Sequence, residues 1–119
     1  MNKRQEELLV RAEEVMAPTI LWTKKELTEA LHIPPQATAQ ILSLGMQEGR
    51  IIKLDSDLLT LPSHMEKLGV TVRGLAPTFT VADFRRASEL PRAVVPCILD
   101  WFDYEGITRR EDDHRVVIG

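Results

Sequence analysis

Residues 23–62 read TKKELTEALHIPPQATAQILSLGMQEGRIIKLDSDLLTLP, and residues 80–119 read TVADFRRASELPRAVVPCILDWFDYEGITRREDDHRVVIG. The second stretch repeats the first, 57 positions on and without a gap. Thr23, Ala30, Pro34, Ile41, Leu42, Glu48, Gly49 and Asp55 return as Thr80, Ala87, Pro91, Ile98, Leu99, Glu105, Gly106 and Asp112. Punctuation recurs along with hydrophobicity, and punctuation fixes local backbone shape. A Thr opens a capping box, a Pro starts a helix, a Gly ends it and an acidic turn closes a hairpin. Each copy reads as a short helix, a turn, a second helix and a two-stranded hairpin, which is the order of a winged helix-turn-helix.

Upstream of the first copy, Leu8, Leu9, Ala12, Val15 and Met16 make one apolar stripe, predicting a helix of roughly 14 residues that Pro18 ends. Residues 20–22 are extended, and Thr23 with Glu26 has capping-box spacing for a helix to about Leu31. After the turn at residues 32–35, a helix over 35–48 buries Ala37, Thr38, Ile41, Leu42 and Gly45. The wing follows, with Asp55, Ser56 and Asp57 as its turn. Ser63 and Glu66 also have capping-box spacing, for a weaker helix to about Arg73 with Met65, Leu68 and Val72 inward. Thr80 caps the next helix, which ends near Glu89. One helix is predicted over 91–105 and a second wing over 107–118. The expected class is mainly α with small β wings: two tandem winged helix-turn-helix domains, 1–62 and 63–119.

Length allows this, since two units of about 55–60 residues are each just large enough for a small core. At 44% hydrophobic and 28% charged residues the 119-residue chain has an ordinary globular composition. Its single cysteine, Cys97, excludes an intrachain disulfide. No secretory leader or apolar run of membrane-spanning length is present, so a cytoplasmic location without membrane contact is expected. A net charge of −3 argues against coating nucleic acid by bulk attraction, so any such contact must be local.

The local candidate lies in the second copy. Around the 91–105 helix, Val94, Val95, Ile98, Leu99, Trp101 and Phe102 share one face, while Arg92, Asp100 and Asp103 fall on the other. Two outward carboxylates would be repelled by phosphates if this helix lay lengthwise in a DNA groove. Its start near Arg92 is better suited to an anion, because unpaired N–H groups and the helix dipole gather there. Arg85 and Arg86 precede it, and Arg109, Arg110 and Arg115 follow on the wing. Six arginines and no lysine follow Leu75. Guanidinium groups bind phosphate at two points and stack on unpaired bases, which suits structured RNA. Strand alternation puts Arg109 and Arg110 on opposite faces. A solvated surface laced with ion pairs, using the interleaved Asp and Glu residues, stands as the alternative.

The first copy turns Gln36, Gln40, Ser43 and Gln47 outward with no cation among them, and reads as a spacer or platform. Lys24, Lys25, Arg50 and Lys53 are the basic groups left to touch a phosphate, a plain exposed surface being the favoured alternative. His32, His64 and His114 with one cysteine give no metal-ligand spacing, and Asp55, Asp57, Asp112 and Asp113 read as turn residues. No catalytic constellation or phosphate loop is present, so neither an enzyme nor a cofactor is expected. Trp22, Phe79, Trp101 and Phe102 read as core anchors; Tyr104 is open between core and base-stacking roles.

Residues 79–85 (FTVADFR), Pro91-Arg92, 98–103 (ILDWFD), 106–110 (GITRR) and Arg115-Val116 resemble the C-terminal end of the SelB family, the selenocysteine-specific translation elongation factors of bacteria. The tandem first copy is similar to the domain before it. The resemblance implies a module that binds the selenocysteine insertion hairpin of messenger RNA, with Arg85, Arg92, Arg109 or Arg110, and Arg115 as the matching positions. It also implies a C-terminal piece of a longer GTPase, acting as a monomer and meeting ribosome and selenocysteyl-tRNA only through that parent. Where the family commonly reads Ser-Arg-Lys, this chain has Pro91-Arg92-Ala93, one cation fewer. A winged-helix DNA-binding transcription regulator and a protein-interaction module are the rival readings.

Overall fold

The computed structural model describes residues 1–54 and 57–119; the wing turn expected at Asp55 and Ser56 lies outside the described residues. The chain divides into two compact units, Met1–Met65 and Glu66–Gly119, the division falling inside a helix.

In the first unit, α1 (Lys3–Met16) is followed by β1 (Trp22–Thr23), α2 (Lys24–Leu31), α3 (Pro35–Gln47), β2 (Ile52–Lys53) and β3 (Leu58–Thr60). Asn2 and Gln5 close a capping box on α1 that the sequence reading had missed. Thr23 and Glu26 close the expected one on α2. Leu8, Leu9, Ala12 and Met16 of α1 pack on Leu27, Leu31, Ile41, Leu42, Ile51, Leu59 and Leu61, with Val15 and Trp22 at the margin. Burying a Leu or Ile side chain is worth about 1.5–3 kcal/mol, so this cluster is what holds three short helices together.

The second unit repeats the order with α4 (Pro62–Arg73), which begins before the division, β4 (Thr78–Thr80), α5 (Val81–Ser88), a 3-10 turn at Arg92–Val94, α6 (Val95–Tyr104), β5 (Thr108–Glu111) and β6 (His114–Val117). Each unit has a three-stranded antiparallel sheet with the last strand in the middle, β1-β3-β2 and β4-β6-β5. Thr80 and Asp83 cap α5 reciprocally. Phe84, Ile98, Leu99 and Phe102 are fully buried, and the rings of Trp101 and Phe102 meet edge to face at 5.3 Å.

The repeat extends to backbone positions where the residues differ. His32 and Glu89 are equivalent, and both end a helix in the left-handed region, at φ 55° and 58°. That region disfavours residues other than glycine by about 1 kcal/mol or more, so it was not legible at either site. Gly49 and Gly106, where it was legible, stand at φ 70° and 75°.

Two helix expectations need correction. Helix α4 starts at Pro62, with Leu61 O accepting from the N–H groups of His64 and Met65, so Ser63 lies within the first turn and is no cap. The 91–105 segment is not one helix: the 3-10 turn comes first and α6 begins at Val95. Pro96 is the reason, because its ring has no N–H and is tolerated only in a helix's first turn.

Candidate nucleic-acid interface

Arg85 lies on α5 and Arg92 in the 3-10 turn, and the left-handed Glu89 between them reverses the chain. Both arginines line one cleft of about 410 Å3 together with Val81, Ala82, Val95 and Pro96. Among the described residues neither forms an ion pair. The cleft thus combines an apolar lining with two uncompensated guanidinium groups. Part of the N–H donor set at this helix start is already engaged. Val94 N–H donates to Pro91 O, Val95 N–H donates to Arg92 O, and Pro96 has none.

The other four arginines are arranged differently. Arg86 Nη2 donates to Asp83 Oδ1 at 2.7 Å, and the Asp83 carboxyl is held below the ordinary carboxylate range by its bond from the Thr80 N–H, then by Arg86. Arg109 lies 3.5 Å from Glu111 on an exposed strand. Arg110 is exposed and, among the described residues, has no ion-pair partner. The register places Arg110 opposite Arg115 and Arg109 opposite Val116, so Arg110 shares a sheet face with Arg115 and Arg109 takes the other, as alternation required.

Arg115 is not available to a ligand. Its side chain is 7% exposed, with Nε 3.3 Å from both Asp103 oxygens and Nη2 3.1 Å from Oδ2. Asp100 Oδ1 lies 3.5 Å from the same Nη2. Thr108 Oγ1 donates to Asp103 Oδ1 at 2.6 Å, so one carboxylate of α6 joins both strands of the wing. This corrects two expectations at once. Arg115 is an internal clamp, and Asp103, 24% exposed, does not line an open outer face. Asp100, 70% exposed, still does. A helical wheel assigns Asp103 outward because it cannot represent the strand that folds over it.

The first unit has a clamp too. Arg50 forks onto Glu13, with Nη2–Oε1 2.6 Å and Nε–Oε2 3.1 Å, and reaches Glu6 at 3.0 Å. These carboxylates raise the guanidinium pKa further above its ordinary value, the Glu13 hydrogen bond most. Arg50 is thereby removed from the few cations that the sequence offered as surface contacts. His64 Nε2 lies 2.9 Å from the Met16 carbonyl in the interior, the role of a satisfied core histidine. Cys97 Sγ donates to Val94 O at 3.1 Å. Tyr104 is 86% exposed and outside the core. Among the described residues no group of acidic, Cys and His side chains is placed to hold a metal ion, and no helix is long and apolar enough to cross a membrane.

Residues 71–117 match the family model of the elongation factor SelB winged helix. Among solved structures, the chain is similar over its full length to the whole mRNA-binding domain of elongation factor SelB from E. coli in complex with SECIS RNA, at 22% identity and a TM-score of 0.87. It is similar at 19% identity and a TM-score of 0.84 to a bacterial selenocysteine-specific elongation factor, EF-Sec, of whose chain it spans 20%. No curated protein matches the sequence.

Proposed function

We propose that this chain is the messenger-RNA-binding module of a SelB-type elongation factor and that its second unit grips the selenocysteine insertion hairpin. It tethers the factor to the message so that selenocysteine enters at UGA, and ribosome and selenocysteyl-tRNA are met through the parent alone. The module is non-catalytic, monomeric and cytoplasmic.

The carrying observation is the cleft in which Arg85 and Arg92 stand, among the described residues, without carboxylate partners. It lies in the unit whose sequence matches the SelB model. Two guanidinium groups over an apolar floor suit a backbone phosphate beside an unstacked nucleotide, a pairing that hairpin loops and bulges offer and a regular duplex does not. Arg110 supplies a third cation from the wing; Arg86 and Arg109 are weaker candidates because each already has a carboxylate. Arg115 acts through Asp103 and serves position only. Exposed Asp100 on α6 disfavours a lengthwise fit of that helix in a DNA groove.

Fluorescence anisotropy with a labelled RNA hairpin, against duplex DNA, tests the reading. About three phosphate contacts predict a log–log salt slope near −2 to −3. Arg85→Glu with Arg92→Glu is expected to weaken hairpin binding by about 100-fold or more, two charge-assisted bonds being worth about 1.5–3 kcal/mol each. Unchanged hairpin affinity in that variant, or tighter binding to DNA, would refute the proposal.

A further inference from the structure

Ser88 is the residue that the repeat leaves unexplained. Its counterpart 57 positions earlier is Leu31, which is buried in the core of the first unit. Spacing along α5 puts position 88 between the buried Phe84 and the cleft-lining Val81 and Arg85. An apolar side chain there would extend the core, as Leu31 does, yet the second copy has a half-buried hydroxyl. Packing gives no reason for the serine.

Its neighbours in sequence supply one. The segment reads Arg85-Arg86-Ala87-Ser88, and no other Ser or Thr of the chain has an arginine two or three positions before it. Serine kinases that select basic substrates hold cations at those two positions in acidic subsites, so the charge pattern, rather than the hydroxyl alone, decides the acceptor. Among the described residues Arg85 forms no ion pair, and the bond from Arg86 to Asp83 is of the exposed surface kind that contributes little. Both guanidinium groups can therefore turn to the carboxylates of a kinase.

The serine is also loosely held. Its Oγ lies 3.5 Å from the Arg85 carbonyl and accepts from the Leu90 N–H at 3.4 Å, both longer than ordinary hydrogen bonds. Ser88 is the last residue of α5, and Glu89 after it stands at φ 58°. That left-handed conformation costs about 1 kcal/mol or more, a cost relieved when the segment extends. Residues 88–90 can thus leave the helix end and take the extended form that a kinase groove accepts.

We infer that Ser88 is a phosphorylation site for an arginine-directed serine kinase using magnesium ATP, and that the phosphoserine closes the cleft of Arg85 and Arg92 to RNA. The second half rests on the hairpin reading above. In the transfer, Ser88 Oγ bonds to the γ-phosphorus of ATP, the bond from that phosphorus to the departing oxygen of ADP breaks, and the hydroxyl proton passes to a carboxylate of the kinase. The new group carries about −1.5 to −2 charges and three acceptor oxygens. One turn along α5 from Arg85, it pairs with that guanidinium and repels the RNA phosphate that the cleft would hold. A phosphate in the last turn also opposes the helix dipole, which loosens the corner that sets Arg92 beside Arg85.

The test incubates the whole folded chain with magnesium ATP and the catalytic subunit of cAMP-dependent protein kinase, an enzyme of this arginine-directed class. A single phosphoryl group, placed on Ser88 by peptide mass spectrometry, is the expected product. Ser88→Ala should take up none, and Arg85→Ala should be labelled about tenfold more slowly. The phosphorylated chain should bind a labelled RNA hairpin about tenfold more weakly than the unmodified chain, or weaker still. Ser88→Ala should bind it equally well before and after kinase treatment. Ser88→Asp should bind about threefold more weakly than its neutral isostere Ser88→Asn, which assigns the effect to charge and not to the lost serine bonds. No phosphate on Ser88, or a phosphorylated chain that binds the hairpin as tightly as the unmodified one, overturns the inference and leaves the hairpin reading standing. An unmodified chain that binds no hairpin overturns both.

Discussion

The two units share an order of elements, a sheet topology and even their left-handed helix ends, yet their charges are arranged in opposite ways. The first carries an uncharged stripe on α3, and its Lys24 and Lys53 border one depression that Ala39, Leu42 and Met46 of the same helix line. The second places Asp100 and Asp103 on α6 and its unpaired arginines around the helix start. Each also consumes one arginine internally, Arg50 beside α1 and Arg115 beneath the wing. Duplication preserved what shapes the backbone and left the surface free to diverge. Shared fold is therefore no guide to which unit meets which ligand.

The largest difference should appear when the clamps are removed. Arg115→Ala leaves the partly buried Asp103 without its cation and should cost about 2–4 kcal/mol. Hydrogen exchange should speed up in β5 and β6 while β2 and β3 stay protected. Arg50 is more solvated, 23% exposed, so Arg50→Ala should cost about 1–2 kcal/mol, confined to the first unit. Equal losses from the two variants would mean that burial does not distinguish the clamps.

The wing arginines give a sharper comparison inside the second unit. Arg110→Ala should weaken RNA hairpin binding by about tenfold, the low end for one charge-assisted contact. Arg109→Ala should change it less than twofold, because that side chain takes the other sheet face and already has Glu111. Anisotropy titrations at one fixed salt concentration decide between them.

Smaller still is a defect confined to the first unit. Thr60 is fully buried, and among the described residues its hydroxyl has no hydrogen-bond partner. The equivalent position in the second copy is Val117. Thr60→Val should stabilise the protein by about 1 kcal/mol, seen as a higher urea midpoint for the first unit.

The smallest effect concerns the caps. The depressed folded-state pKa of Asp83 contributes stability that is present above the ordinary carboxylate pKa of about 4 and is lost as pH falls through the lower folded value. Asp83→Asn should remove that part of the acid dependence, with little change at neutral pH beyond the weakened cap. Thermal melts of both proteins between pH 2 and 7 would reveal it.

Much of this was legible beforehand because it depends on local rules. The capping boxes at Thr23 and Thr80, the glycine stops and the apolar stripes of α1, α3 and α6 follow from residue spacing alone. The start of α6 was misread because the apolar repeat runs on through residues 91–105, whereas Pro96 marks where the α-helical part begins. Arg115 was misread for a different reason. Its neighbours in sequence are Asp113, His114 and Val116, but its partner Asp103 is on another element and was itself read as an outward residue.

Periodicity and turn chemistry, which act over a few residues, determined by themselves that this chain is two winged helices. Only the tertiary structure decided which cations are available to a ligand. An arginine is withdrawn from solvent when a carboxylate from a distant element reaches it, and that meeting depends on how β6 lies across α6 and how Arg50 reaches back to α1.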